Sequence, residues 1–265
     1  MFRRRFLSTY FTQSTMKFLH ISFFALAVSA VFLTSSTCLA GPPFITDDPE
    51  PVDLHHYELY LGPAMYSRSN ANDFLDAPFM EFNYGVLPDT QVHIIVNGAF
   101  NLARDPHQTH YGLGDTELGL KYRFIHESNW MPEIGVFPLI ELSTGNRHEG
   151  LGNGQTQYFF PVWLQKSWGD WTVYGGGGFF YNPAPLERSF WRMGFVVQRD
   201  LSKQLTLGLE IFHETPASVG AGGHTAFNLG VIYNFNDNVH LLASAGRDID
   251  GPSVFMSYTA VQFTW

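Results

Sequence analysis

Apolar and polar side chains alternate along most of the chain after residue 55, and this period of two is typical of β-strands with two different faces. In DTELGLKYRF, Leu118, Leu120 and Tyr122 fall on one face, while charged residues and glycine fall on the other. The segment HTAFNLGVIYNF, at residues 224–235, repeats the pattern. No helical pattern of useful length interrupts these segments. Twelve strands are predicted, at about residues 55–66, 78–87, 90–100, 113–124, 131–142, 155–166, 171–181, 188–199, 203–213, 223–235, 238–246 and 253–265.

The connections between these strands alternate between short and long. LPDT, SWGD and FNDN are typical of tight turns, whereas SRSNANDFLDA, STGNRHEGLGNGQ and TPASVGAGG are longer and rich in Gly, Pro and polar residues. An even number of antiparallel strands, with short turns at one end and long loops at the other, is the arrangement of an outer-membrane barrel. The predicted fold class is therefore all-β, a transmembrane antiparallel β-barrel of about 12 strands with short periplasmic turns and longer extracellular loops.

A soluble lipocalin-like barrel or a β-sandwich would alternate in the same way. The classes differ in which face is apolar, because a small soluble barrel fills its interior with apolar side chains. A barrel of 12 strands encloses a lumen too wide to fill in this way, so a wet, charged interior and a lipid-facing exterior fit better. The charged residues of the polar face, which we expect in the lumen and along a translocation path, are Glu58, Glu81, Asp115, Glu117, Lys121, Arg123, Glu133, Arg192 and Glu210.

The first 40 residues have the pattern of a secretory signal peptide. Basic residues, Arg3 to Arg5 and Lys17, precede an apolar run from Phe18 to Leu33, and a segment of small residues ends at Ala40. A membrane anchor would need about 20 apolar residues, and this run is shorter and contains His20. The predicted organisation is a signal peptide at 1–40, removed on export, an acidic, proline-rich N-terminal segment or plug at 41–55, and an outer-membrane barrel at 56–265. Residues 41–55 are called the acidic segment below.

The composition argues against two classes of function, nucleic-acid binding and thiol chemistry. The chain has 24 acidic and 15 basic side chains, a net charge of −9, so nucleic acid is not an expected partner, since phosphate binding needs clustered Lys and Arg. The single cysteine, Cys38, lies in the predicted signal peptide, so disulfides and thiol chemistry are not expected in the mature chain.

The last predicted strand, SVFMSYTAVQFTW, ends on Trp265, with Val261 and Phe263 on the same face. It resembles the final strand of bacterial outer-membrane barrels, which typically ends on an aromatic residue preceded by alternating apolar ones. The resemblance implies recognition by the barrel assembly machinery of a Gram-negative bacterium. The expected location is the outer membrane, whose lipids are the other expected partner.

The stretch before the first strand, ITDDPEPV, contains Thr46, Asp47, Asp48 and Pro49 and leads into HHYELYLG. Together with the strand YGLGDTELGLKYRF, it resembles the outer-membrane transporters of the meta-pathway phenol degradation type. The resemblance implies an outer-membrane location and passage of small aromatic or apolar compounds. It does not specify the solute.

The acidic segment has three interpretations. Its carboxylates supply oxygen ligands of the kind that divalent cations prefer, but the nearby prolines hold the segment extended and the spacing matches no calcium loop. The segment therefore either folds into the lumen or the periplasmic mouth, or forms a tail. Three loop histidines lack the further ligands that a zinc site would need, so neither a metal nor another cofactor is predicted. The acids of the segment are Asp47, Asp48, Glu50 and Asp53, and the histidines are His107, His110 and His148.

The lumen charges predict either a selectivity zone or a solvated wall of internal ion pairs. Phe159 and Trp163, together with Phe79 and Phe137, fall by parity on the same inner face, where rings would suit an apolar solute. If the alternation shifts by one residue at Pro138 or Pro161, some of these rings would instead face the lipid.

One enzymatic alternative has named residues. Ser189 begins one predicted strand and His213 ends the next, so the pair could act as nucleophile and base of a lipid hydrolase on the outer wall. An enzyme is nevertheless not the favoured interpretation, because any barrel brings some Ser near some His. The sequence favours a channel for passive uptake of small apolar or aromatic compounds. The alternatives are the lipid hydrolase and a structural or surface-contact barrel without transport.

Overall fold

The computed structural model describes residues 43–63, 65–69, 72–103 and 108–265. The predicted signal peptide at 1–40 and the loop residue His107 lie outside the described residues. None of the described residues forms a helix long and apolar enough to cross a membrane.

The described chain forms a closed antiparallel β-barrel, which confirms the predicted fold class. Fifteen segments form one sheet, and three wall strands are each built from two segments in line, so the wall has twelve strands. They are β1 (Tyr57–Gly62 and Met65–Arg68), β2 (Asn72–Leu87), β3 (Thr90–Ala103), β4 (His110–Leu113 and Thr116–Ile125), β5 (Glu133–Val136 and Leu139–Leu142), β6 (Gln157–Trp168), β7 (Trp171–Tyr181), β8 (Phe190–Asp200), β9 (Leu205–Glu214), β10 (His224–Asn236), β11 (Val239–Asp250) and β12 (Phe255–Thr264). The breaks in β1 and β5 coincide with Pro63 and Pro138, because proline has no N–H to donate to a neighbouring strand.

The seam of the barrel lies between its first and last strands. Both segments of β1 pair with β12 on one side and with β2 on the other. The backbones of Tyr57 and Trp265 exchange two hydrogen bonds, of 2.8 and 3.2 Å, and the two rings lie 5.5 Å apart. The start and the end of the barrel therefore lie together at its short-turn end.

Some loops are shorter than predicted. Strand β2 begins at Asn72 rather than near residue 78, and β11 continues to Asp250 rather than ending near residue 246. Polar side chains at the start of β2 are paired, since Asp73 accepts hydrogen bonds from Tyr66 and Arg68, so this sequence forms strand although it resembles a loop. The long loops are 143–156, 182–189 and 215–223, while the turn-end connection at 126–132 is longer than predicted for that side.

The outer face of the wall is apolar. Phe160, Leu209 and Leu229, on separate strands, are each half exposed or more. Aromatic residues mark both rims: Trp130, Trp168 and Trp171 at the turn end, and Tyr111, Tyr181 and Trp191 at the loop end. An apolar belt between two aromatic girdles is the exterior of a barrel that spans an outer membrane.

Candidate functional site

The acidic segment, described from residue 43 onward, lies inside the barrel and crosses its lumen. At one end the Pro43 carbonyl accepts a hydrogen bond from Ser244 of β11 at 2.5 Å. Further along, the Val52 N–H donates to the side chain of Gln91 in β3 at 2.9 Å, and Leu54 forms a bridge with Gly85 of β2. The segment thus contacts β11, β3 and β2 before the chain enters β1 at the turn end.

Glu210 of β9 is the main hydrogen-bond acceptor for the acidic segment. Its carboxylate is fully buried and accepts the backbone N–H of Thr46 at 2.6 Å and of Ile45 at 3.2 Å. It also accepts an N–H of the Asn228 side chain at 2.6 Å. A single wall carboxylate therefore satisfies two backbone donors of a segment that has no strand partner of its own there.

Glycines in the wall make room for the acidic segment. A Cβ on Gly194 would overlap the Thr46 hydroxyl, and a Cβ on Gly230 would overlap the ring of Phe44. A side chain at Gly194 or Gly230 would therefore force the Thr46 or the Phe44 side chain to move.

The acids of the segment are held in different ways. Lys121 of β4 lies 3.0 Å from the carboxylate of Asp47 and 3.6 Å from that of Asp48. Glu50 accepts a hydrogen bond from Gln165 at 3.2 Å. Burial, followed by the charge of Glu133, raises the pKa of the Glu50 carboxyl to about 7. Asp53, by contrast, is exposed.

Most of the predicted lumen charges on the wall are paired within the barrel. Arg192 lies 2.6 Å from Glu214, and Arg123 lies 2.7 Å from Asp89 and 3.4 Å from Glu133. These pairs balance each arginine with acids from neighbouring strands or turns.

The remaining predicted wall acids have separate partners. Glu58 accepts a hydrogen bond from Tyr60 at 2.9 Å. Glu81 and Glu117 both contact the ring of His93, at 3.6 and 3.0 Å. These wall carboxylates therefore contact polar side chains of their own or a neighbouring strand.

Asp115 differs from the other predicted lumen residues. It lies between the two segments of β4, and its carboxylate accepts the backbone N–H groups of Gly145 at 2.8 Å and Asn153 at 2.6 Å. Its contacts hold the long loop 143–156 at the mouth of the barrel. The alternation pattern could not show this, because it does not report how a loop folds.

An aromatic wall lines one side of the lumen near the long loops. The rings of Phe159 and Phe180 stack at 4.0 Å between centroids, and those of Phe180 and Phe190 at 4.6 Å. The Arg192 guanidinium lies over the ring of Phe180 at 4.7 Å, and Trp163 is buried next to Phe159. The register of β5, β6 and β7 is continuous through Pro161, so these rings keep the inward parity.

The aromatic wall borders a cavity of about 250 Å³. Residues 43–47 of the acidic segment line it, and Tyr258, Glu81 and Glu117 of the wall are among the other lining residues. Phe159 and Trp163 are among the lining residues. The cavity therefore combines apolar rings, carboxylates and the backbone of the acidic segment.

Several functional candidates were not identified from the sequence. Phe180 and Phe190 complete the aromatic wall, and His224 bridges Glu214 and Asp248 at 3.1 Å each. The alternation of inward-facing and outward-facing residues along β7 and β8 could have identified both phenylalanines. The histidine bridge joins β9, β10 and β11, and only the strand register shows it.

The geometry does not support the alternative in which Ser189 and His213 act as a pair. His213 lies opposite Met193 in the register of β8 and β9, so Ser189, which directly precedes β8, is four residues, or about 13 Å, away along the chain. The Ser189 hydroxyl accepts a hydrogen bond from the Asn182 N–H, while the His213 ring contacts the hydroxyl of Thr225 at 2.9 Å. Parity put both residues on one side of the wall, but the register separates them along the strands.

Among the described residues there is no group of three or more Asp, Glu, His or Cys side chains placed to hold a metal ion. His110 and His148 lie in or beside loops at the mouth, and the carboxylates of Asp47 and Asp48 face Lys121.

Comparison with known proteins agrees with this architecture. No family model and no curated protein matches the sequence. The structure is similar to an outer-membrane channel from Pseudomonas putida F1, with a TM-score of 0.62 and 15% identity over 85% of this chain and 99% of that chain. It is similar to the KdgM porin with a TM-score of 0.55 and 12% identity, over 79% and 99% of the two chains. The translocator domain of the autotransporter NalP from Neisseria meningitidis gives a TM-score of 0.52 at 11% identity, over 94% and 96%.

At these identities the likeness establishes the fold. That fold, with its apolar belt, places the protein in the outer membrane of a Gram-negative bacterium, which confirms the predicted location. Membership of the phenol-degradation transporter family remains a prediction.

Proposed function

We propose that this barrel is a channel for the passive uptake of small apolar or aromatic compounds. The observation that carries the proposal is the aromatic wall inside the lumen, with the cavity of about 250 Å³ beside it. A cavity of about 150 Å³ is enough to bind benzene, so this space suits a compound with one ring. Phe159 and Trp163 of the aromatic wall line this cavity together with Phe79 and Phe137, so an apolar solute would meet several rings there.

The shared fold adds support, because the P. putida protein and KdgM are described as an outer-membrane channel and a porin. The sequence resemblance to phenol-degradation transporters points to the same class of solute. Together with the aromatic wall, these observations favour transport over a purely structural role.

Uptake by intact Gram-negative cells tests the proposal. Cells that produce the barrel should accumulate radiolabelled toluene or phenol faster than cells without it. Phe159→Ala combined with Phe180→Ala should slow this uptake, because the two substitutions remove a stacked pair of rings from the aromatic wall. Phe160→Ala is the matched control, since Phe160 adjoins Phe159 in sequence but lies on the lipid face, where it is 57% exposed.

Two results would contradict the proposal. Uptake that is the same with and without the barrel would favour a structural or surface-contact role. An equal loss from the inner pair and from Phe160→Ala would mean that folding, and not the aromatic wall, determines the rate. Heat-modifiable mobility of each variant on gels checks that the barrel has folded.

Removing the acidic segment provides a second test. A chain without residues 41–55 lacks the segment that crosses the lumen, so its conductance in planar bilayers should exceed that of the intact chain. Equal conductance would mean that the segment does not limit passage.

A further inference from the structure

The cavity beside the acidic segment is bordered by more carboxylates than cations. Asp47, Glu81 and Glu117 line it, and Arg192 is the permanently charged base of the described lining. The Nε of Arg192 already donates to Glu214 at 2.6 Å. An incoming solute therefore meets an excess of negative charge.

The two wall carboxylates share one histidine. The ring of His93 lies 3.6 Å from Glu81 through Nδ1 and 3.0 Å from Glu117 through Nε2. A single imidazole carries at most one positive charge, so it cannot balance both acids. Lys121, which is not part of the lining, is engaged by Asp47 and Asp48.

Polar atoms around the cavity lack partners. The Asn228 side-chain oxygen and the Tyr258 hydroxyl are buried and have no hydrogen-bond partner among the described residues. Both residues line the cavity, and they are only 2% and 8% exposed. The Asn228 oxygen can only accept a hydrogen bond and the Tyr258 hydroxyl can accept one, so these two residues add acceptors and no cation to the lining of the cavity.

The ring faces complete a site suited to a cation with an apolar body. Phe79, Phe137 and Phe159 line the same cavity. Cations are attracted to the faces of aromatic rings, and the barrel already uses this contact, since the Lys121 ammonium lies 5.0 Å from the centre of Phe137. The carboxylates would hold the charged end of a solute while the rings cover its apolar part.

We propose that this cavity selects small organic cations, in particular a primary ammonium group on an aromatic or apolar body, over neutral and carboxylate analogues. The inference rests on the proposed channel function and narrows its solutes by charge.

Equilibrium binding to the full folded chain in a neutral detergent tests the preference. Benzylammonium, benzyl alcohol and benzoate have the same ring and differ in charge, so isothermal titration of the three isolates the electrostatic contribution. Benzylammonium should bind about tenfold more tightly than benzyl alcohol, and benzoate should bind most weakly.

Glu117→Gln should weaken benzylammonium binding about tenfold and leave benzyl alcohol unchanged. Glu81→Gln provides a second variant, so a folding defect in one does not end the test. Glu149→Gln is the matched control, because Glu149 lies in the long loop and is not part of the lining. It should change neither affinity.

The outcomes separate the two proposals. Equal affinity for the three compounds, or tightest binding of benzoate, would overturn the charge preference while leaving uptake of neutral aromatics intact. Absence of barrel-dependent uptake in cells would refute the channel itself, whatever the binding order.

Discussion

Replacing Glu210 by alanine should release the acidic segment from the wall. The substitution removes the acceptor for the backbone N–H groups of Ile45 and Thr46, which are otherwise buried in the lumen. A hydrogen bond to a charged group contributes about 1.5–3 kcal/mol, so losing these two at the lower end weakens docking by about 3 kcal/mol. The undocked fraction should then rise about 150-fold.

Labelling of an introduced thiol measures this fraction. Thr46→Cys places a thiol at a position that is 3% exposed, and no other cysteine occurs after Cys38. A maleimide should react with it only when the acidic segment has left the wall. In this background Glu210→Ala should speed labelling about 100-fold or more, whereas Glu149→Gln, in the long loop, should not.

Equal labelling rates in the Glu210→Ala and parent barrels would refute the reasoning. That result would mean that the remaining contacts of the acidic segment, such as the hydrogen bond from Ser244 to Pro43, hold it without the carboxylate. Labelling of the denatured chains at one common rate is the control for reactivity of the thiol itself.

Three further predictions use the same contacts. Gly230→Ala should also speed labelling, because its methyl group would overlap Phe44, whereas Gly222→Ala, where a Cβ meets open space, should not. The pKa of Glu50 is raised from 4.5 to about 7, so docking of the acidic segment should be strongest below pH 4.5 and weaken as the pH rises through 7. Thiol labelling, corrected against a free-thiol reference, should therefore be faster at pH 8 than at pH 5. Glu50→Gln should reduce this difference. Trp265→Ala should lower the amount of heat-modifiable barrel in the outer membrane, since it removes the ring that packs on Tyr57 at the seam, and an unchanged amount would contradict this.

The barrel itself could be predicted from alternation, because each strand has one face toward lipid and one toward the lumen. Phe159 and Phe160 show how sharp this signal is, since adjacent residues of one type are 3% and 57% exposed. The ends of the strands were less predictable. At Asn72 a polar segment continues as strand because neighbouring side chains satisfy its acids.

The contacts within the lumen could not be predicted in the same way. Thr46 and Glu210 are 164 residues apart, and no local pattern records that one binds the other. Asp115 has the parity of a lumen residue, yet the fold of a distant loop determines its partners. The alternative pairing of Ser189 with His213 fails for a related reason, because alternation shows on which face of the wall a residue lies but not how far along the barrel axis.

The position of the aromatic wall has a kinetic consequence. Phe159, Phe180 and Phe190 lie at the loop ends of β6, β7 and β8, whereas the acidic segment crosses between the cavity and the turn end. In the proposed channel, a solute from outside reaches the cavity while the segment is still docked, but its release to the periplasm requires the segment to move. Loosening the segment should therefore raise the maximal uptake rate and leave the half-saturating concentration almost unchanged.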